Sequence, residues 1–298
     1  MRIDCHQHLW PPRFIDALRR RRDHPYLRGW TLHLPGEAPY VIDPAAHDVD
    51  ARRAQELAEG TEQVLVSLSS PLGIEHLPAD EGAELVALWH ASALELGDPF
   101  RVWAAAPVGD PDPVGLAKVL REERIVGLQL PATALADPAD IVRMQPLLAE
   151  AERADKPLLV HPGPAPASTA DLPAWWPALV PYVAQQHRSW LAWHIAGRRQ
   201  HPRLRIVFVA LAGLAPLHHE RLTARGGTLG PLDPYVYYET SSYGTRAIDA
   251  LIRVVGVDPI VHGSDRPYAQ PTDPGLGSAF THALYTANPR HLLTGEPR

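Results

Sequence analysis

The chain has 298 residues, 45% hydrophobic and 21% charged, with a formal charge of -6 and a pI near 6.2. That length and apolar content suit an α/β domain with its own core, and an acidic balance without a basic stripe excludes a nucleic-acid binder. No apolar run approaches the roughly 18–20 residues that span a bilayer, and the single cysteine, Cys5, allows no intrachain disulfide. Asp4, His6 and His8 interrupt any signal-peptide core, so a soluble cytoplasmic protein is expected.

The chain opens on Asp4-Cys5-His6-Gln7-His8. Side chains two apart on a β-strand share a face, so His6 and His8 can reach one point in space. On a helix the same pair would sit about 200° apart and could not converge. Leu9-Trp10-Pro11-Pro12 ends this first strand. An insertion over residues 24–48 follows. Within it Pro35-Gly36 separates Trp30-Thr31-Leu32-His33-Leu34 from Tyr40-Val41-Ile42, which predicts a small β-hairpin above the mouth of the sheet.

Seven more apolar runs follow. They are Val64–Leu68, Arg101–Ala106, Ile125–Leu130, Leu158–His161, Arg205–Ala210, Tyr235–Glu239 and Ile260–Asp265. Amphipathic stretches lie between them: Glu81–Leu96, Pro113–Arg121, Ile141–Ala154, Val183–Gln200 and Thr245–Val255. Apolar strands alternating with helices predict a parallel sheet, and eight such units predict a (β/α)8 TIM barrel. An open doubly wound sheet is the alternative, but no Gly-rich dinucleotide loop follows the first strand. A Pro/Trp-rich stretch, Pro162 to Pro181, follows the fifth strand and holds Trp175-Trp176. It suits either a cover for a pocket or a dimer interface. No repeat or linker-like tract divides the chain, so residues 1–298 read as one domain.

In a closed barrel the strand ends converge on one mouth. His161 ends the fifth strand and Asp265 ends the eighth, so both are expected to meet His6 and His8 there. Imidazoles plus a carboxylate suit one divalent ion, zinc foremost, with manganese or iron as alternatives. Asp265 is placed to bind such an ion and also to act as a base.

Five motifs in order resemble the amidohydrolase-2 family of the amidohydrolase superfamily, in the branch around aminocarboxymuconate semialdehyde decarboxylase. Asp4-Cys5-His6-Gln7-His8 is similar to its opening H-x-H strand, and Leu158-Leu159-Val160-His161-Pro162 to its fifth-strand histidine. His201-Pro202-Arg203-Leu204-Arg205-Ile206-Val207 resembles the lead into its sixth strand. His262-Gly263-Ser264-Asp265-Arg266-Pro267-Tyr268 resembles its aspartate turn, and Ala287-Asn288-Pro289-Arg290-His291-Leu292-Leu293 its closing helix. The resemblance implies a distorted barrel holding one metal on His6, His8, His161 and Asp265. It also implies a decarboxylase of small aromatic or unsaturated acids, or a hydrolase of an amide or lactone, and often a homodimer.

One departure stands out. The family's sixth strand ends in a histidine followed by glycines, and here Val209-Ala210-Leu211-Ala212-Gly213 puts Ala210 in its place. Alanine moves no proton. A rearranged enzyme or a binding protein without turnover is then open beside the ordinary decarboxylase. Asp265, His218 and Glu239 are the expected proton-transfer groups. Trp10, His33, Trp176, Arg221, Arg266 and Tyr268 are the expected substrate contacts, with an arginine set against a carboxylate.

Overall fold

The apolar runs become the parallel strands of a (β/α)8 barrel in the computed structural model, which describes residues 1–168 and 170–296. After β1 (Ile3–Gln7) the chain makes β2 (Tyr26–Arg28), β3 (Thr31–His33) and β4 (Tyr40–Val41). The remaining barrel strands are β5 (Gln63–Val66), β6 (Phe100–Ala104), β7 (Ile125–Pro131), β8 (Leu158–His161), β9 (Ile206–Phe208), β10 (Val236–Glu239) and β11 (Ile260–Val261). The barrel order is β1-β5-β6-β7-β8-β9-β10-β11, each strand beside its chain neighbour.

The last seam is closed irregularly. β11 ends at Val261, earlier than the expected Asp265, yet the segment beyond it still bonds to β1. Cys5 N–H donates to His262 O at 2.8 Å, Asp265 N–H to His6 O at 3.0 Å and His8 N–H to Arg266 O at 2.6 Å. The turn needs a glycine at its start: a Cβ on Gly263 would meet Glu239 Oε1 at 2.0 Å.

Period-two alternation divides the core. Cys5, Leu65, Trp103, Leu159, Val207 and Val261 pack together inside the barrel. Their neighbours Val64, Val102, Leu158, Ile206 and Ile260 belong to the larger cluster between sheet and helices. Pairing with β5 is irregular between Asp4 and Gln7. Such a bulge re-aims side chains.

The insertion carries one strand more than the hairpin expected. Tyr26–Arg28 pairs antiparallel with Thr31–His33, which pairs with Tyr40–Val41. The loop between β3 and β4 then lies directly on the loop after β8. A Cβ on Gly36 would stand 1.9 Å from Ala165 O, so only glycine permits that contact.

Helices match in place, and Thr245–Val255 matches in bounds. The Val183–Gln200 stretch is not one regular helix. It runs as Pro181–Ala192, loosens into a π turn over Trp193–Gly197 and resumes at Arg198. Gly197 lies under the Trp193 ring, 2.2 Å from where a Cβ would sit.

The Ala79–Leu94 helix holds buried His90, whose Nε2 accepts the Ala105 N–H at 3.0 Å. Burial pushes the imidazole down from 6.5 to about 4. A depressed folded pKa means that this group's contribution is in place above pH 6.5 and is lost as pH falls towards 4. Lowering the pH from 7 to 4.5 should therefore remove about 2–3 kcal/mol through this one group. Urea unfolding at both pH values checks it. His90→Gln keeps an acceptor without titrating, so the drop should be smaller in that variant by about this amount. Equal drops in both proteins would disprove the assignment.

Candidate metal centre and cavity

His6 sits on β1, His8 just beyond it, His161 at the last position of β8 and Asp265 in the turn after β11. Their ligand atoms all lie within 4.8 Å of one another. His6 Nε2 and His8 Nε2 are 3.1 Å apart, and Asp265 Oδ1 lies 3.3 Å from His8 Nε2 and 3.9 Å from His6 Nε2. The imidazole of His161 packs edge-on to both, with centroids 4.9 and 5.0 Å away. Asp265 has φ of 58°, a left-handed conformation that aspartate tolerates better than most residues.

Each imidazole has an oxygen of another residue facing its outer nitrogen. His8 Nδ1 lies 3.0 Å from Ser67 O, His161 Nδ1 2.8 Å from Pro162 O, and His6 Nδ1 3.4 Å from Glu239 Oε2. Carbonyl and carboxylate oxygens only accept, so the protons belong on Nδ1 and the Nε2 lone pairs face inward. Burial holds His161 well below its ordinary pKa, with repulsion from His6 and His8 adding to it. Burial also lowers His8, partly offset by Asp265. Two inward lone pairs 3.1 Å apart repel unless a cation stands between them. Ligand atoms on a zinc-like ion are about 3–4 Å from one another, so this donor set fits a divalent ion.

Glu239 is fully buried behind His6. Its carboxylate accepts from Ser241 N–H at 2.5 Å, Ser241 Oγ at 2.6 Å and Ala210 N–H at 3.3 Å. It therefore supports His6 and does not line the open space.

The centre opens onto a cavity of about 1030 Å³. Its floor holds the histidines and Asp265. Tyr268 and Trp176 line it, and the Tyr268 ring is 5.4 Å from that of His8. The roof comes from the inserted sheet and the loop after β8, with Glu37 and Tyr40 facing Tyr182. Ala210 lines the wall where the resemblance expects an imidazole.

The structure leaves the other candidates outside. Trp10 is buried in the core, stacked on His47 at 4.6 Å and donating to Ser69 Oγ. His33 stacks on Tyr26 within the inserted sheet. Arg266 turns away to Glu56 and Glu59, each at 2.8 Å. His218 is exposed and stacks on His187, and Arg221 is exposed on the short His219–Ala224 helix. The cause of the last two is the backbone after β9. Ala210 to Leu214 all have positive φ, from 49° to 62°, a left-handed turn that carries the following helix away from the mouth. Such a turn costs about 1–2 kcal/mol at each non-glycine residue. Reasoning from sequence missed Glu37, Tyr40 and Tyr182. For Glu37 and Tyr40 only the position of the insertion could have signalled it, and for Tyr182 only its place just after the Pro/Trp-rich stretch.

No protein-family model matches the chain, and no curated protein matches it. Solved structures do. The IDCase of Metarhizium anisopliae in apo form superposes with a TM-score of 0.78 at 18% identity, over 98% of this chain and 97% of that one. The 5-carboxyvanillate decarboxylase LigW of Sphingomonas paucimobilis gives 0.74 at 20% identity, over 98% of each chain. The 5-carboxyvanillate decarboxylase of Novosphingobium aromaticivorans, complexed with manganese and 4-hydroxy-3-methoxy-5-nitrobenzoic acid, gives 0.71 at 17% identity, over 98% and 96%.

This chain shares their fold. The agreement runs essentially end to end in each case, so insertion, barrel and closing helix all fall within it.

Proposed function

We propose that this protein is a metal-dependent, non-oxidative decarboxylase of a small aromatic or unsaturated carboxylic acid. The observation that carries this reading is the cluster of three inward imidazoles and one carboxylate at the floor of a large cavity walled by Trp176, Tyr268 and prolines. The names of the structures that share the fold, two of them 5-carboxyvanillate decarboxylases, point the same way. His6, His8, His161 and Asp265 would hold the ion, zinc or manganese. Such an ion supplies a fixed positive charge and a Lewis acid for a substrate carboxylate.

The side chains do the rest. Trp176 and Tyr268 hold the ring and exclude water. Glu239 keeps His6 in the tautomer that leaves Nε2 free. The C–C bond to the carboxylate breaks, CO2 leaves, and a proton is added to the carbon that carried it. Asp265 is the ionisable group at the cavity floor able to relay that proton from a water molecule, which leaves as hydroxide, since His218 lies outside and Glu239 is enclosed. The chain is further proposed to act in the cytoplasm as a homodimer. Trp175, Leu179 and Val180, exposed by 55%, 61% and 41%, give the loop after β8 an apolar surface that a partner would cover.

The test is incubation of zinc- or manganese-loaded protein with aromatic acids, following CO2 against hydrolytic products. CO2 release that disappears in Asp265→Ala is expected. Hydrolysis of an amide or lactone without CO2 would replace this reading with a hydrolase, and binding without turnover would replace it with a binding protein.

A further inference from the structure

Among the described residues lining the cavity there is no arginine or lysine, while Glu37, Asp171 and Asp265 are carboxylates. The two buried arginines that touch the His8 backbone are already committed: Arg266 to Glu56 and Glu59, and Arg52 to Gln7 and Ala46 O. One substrate carboxylate can be met by the ion at the floor. A second anionic group would find no arginine or lysine among the described residues above it.

The roof carries the opposite sign. Glu37 stands at the tip of the inserted sheet, one residue beyond the glycine that seats the loop against Ala165. Tyr182 Oη–H donates to one of its oxygens. Burial raises the Glu37 carboxyl above its ordinary value, and no cation faces it among the described residues. A half-buried carboxylate with a single donor is costly, and a further donor arriving with a ligand would offset that cost.

We propose that Glu37 is the specificity-determining residue of this cavity. It admits an aromatic acid bearing one carboxylate and a hydrogen-bond-donating ring substituent, hydroxyl or amino, and it rejects acids with a second carboxylate. The inference rests on the decarboxylase reading for the placement of the first carboxylate on the ion. Like charge at the roof opposes the second carboxylate, whereas a donor there completes the Glu37–Tyr182 pair.

The experiment is calorimetric titration of the manganese-loaded protein with benzoate, the monohydroxybenzoates, the aminobenzoates and the benzenedicarboxylates. At least one hydroxy or amino isomer should bind about fivefold tighter than benzoate. The dicarboxylates should bind about tenfold more weakly than benzoate. Glu37→Gln keeps an acceptor for Tyr182 but removes the charge, so the penalty on dicarboxylates should vanish. Tyr182→Phe keeps the charge, so the penalty should persist, and this variant retains the test if Glu37→Gln does not fold. Dicarboxylates binding native protein as tightly as benzoate, or the penalty surviving Glu37→Gln, would overturn this inference alone. Failure of every acid to bind in an ion-dependent way would remove the decarboxylase reading and this inference with it.

Discussion

His8→Ala is expected to strip the divalent ion from the protein, and Asp265→Ala to do the same. Each removes an atom from a set that converges within 4.8 Å. His8 is also the better oriented of the two strand-one imidazoles, because Ser67 O fixes its tautomer at 3.0 Å. Loss of a supporting contact outside a coordination sphere commonly costs 10–100-fold in affinity, so loss of a ligand should cost on the order of 100-fold or more. Elemental analysis after dialysis should find one ion per native chain and almost none in either variant. His218→Ala should keep its ion, since that ring is stacked on His187 away from the centre. Full metal in both the His8 and Asp265 variants would sink the assignment.

Ala210→His is expected to lower the native activity by about tenfold or more. A general acid or base in this position is usually worth 10²–10⁴ in rate, so its absence is either a handicap or a sign that the chemistry moved. The structure favours the second. Ala210 lines the cavity with a methyl group, and its N–H is tied to Glu239. An imidazole there would project into space that the ring of a substrate can occupy. Histidine tolerates the observed φ of 49° better than most side chains, so the variant should fold. Steady-state kinetics on the native substrate decide it: a tenfold gain would identify a weakened decarboxylase that the imidazole repairs.

Much of the fold was legible because barrel strands are short, apolar and evenly spaced by helices. The Thr245–Val255 helix shows this well, since its apolar period and flanking glycines define both ends. The convergence of His6, His8, His161 and Asp265 was legible for the same reason: each sat at the end of a recognisable strand. What stayed hidden depends on contacts distant in sequence. Nothing near Arg266 reveals that Glu56 and Glu59 neutralise it from more than 200 positions away. Trp10 looks like a pocket wall until His47 covers it. Leu211, Ala212 and Leu214 have no preference for a left-handed turn, so the displacement of His218 could not be read from them. Tyr26-Leu27-Arg28 is too short to show alternation, and it became a strand by pairing with β3.

The irregular seam between β1 and the segment after β11 has a consequence for how the protein is made. Ser264 N–H donates to Asp4 across 260 positions, and Asp265 completes the cluster begun by His6 and His8. During synthesis the two histidines emerge early, while their carboxylate partner emerges only after nearly all the barrel has been translated. Until then β1 has β5 on one side and an unpaired edge on the other. An ion held on these residues would tie both edges of that seam together, and its arrival would be coupled to closure of the cylinder. Chelation should therefore loosen the two strands farthest apart in translation order before it disturbs any that are adjacent.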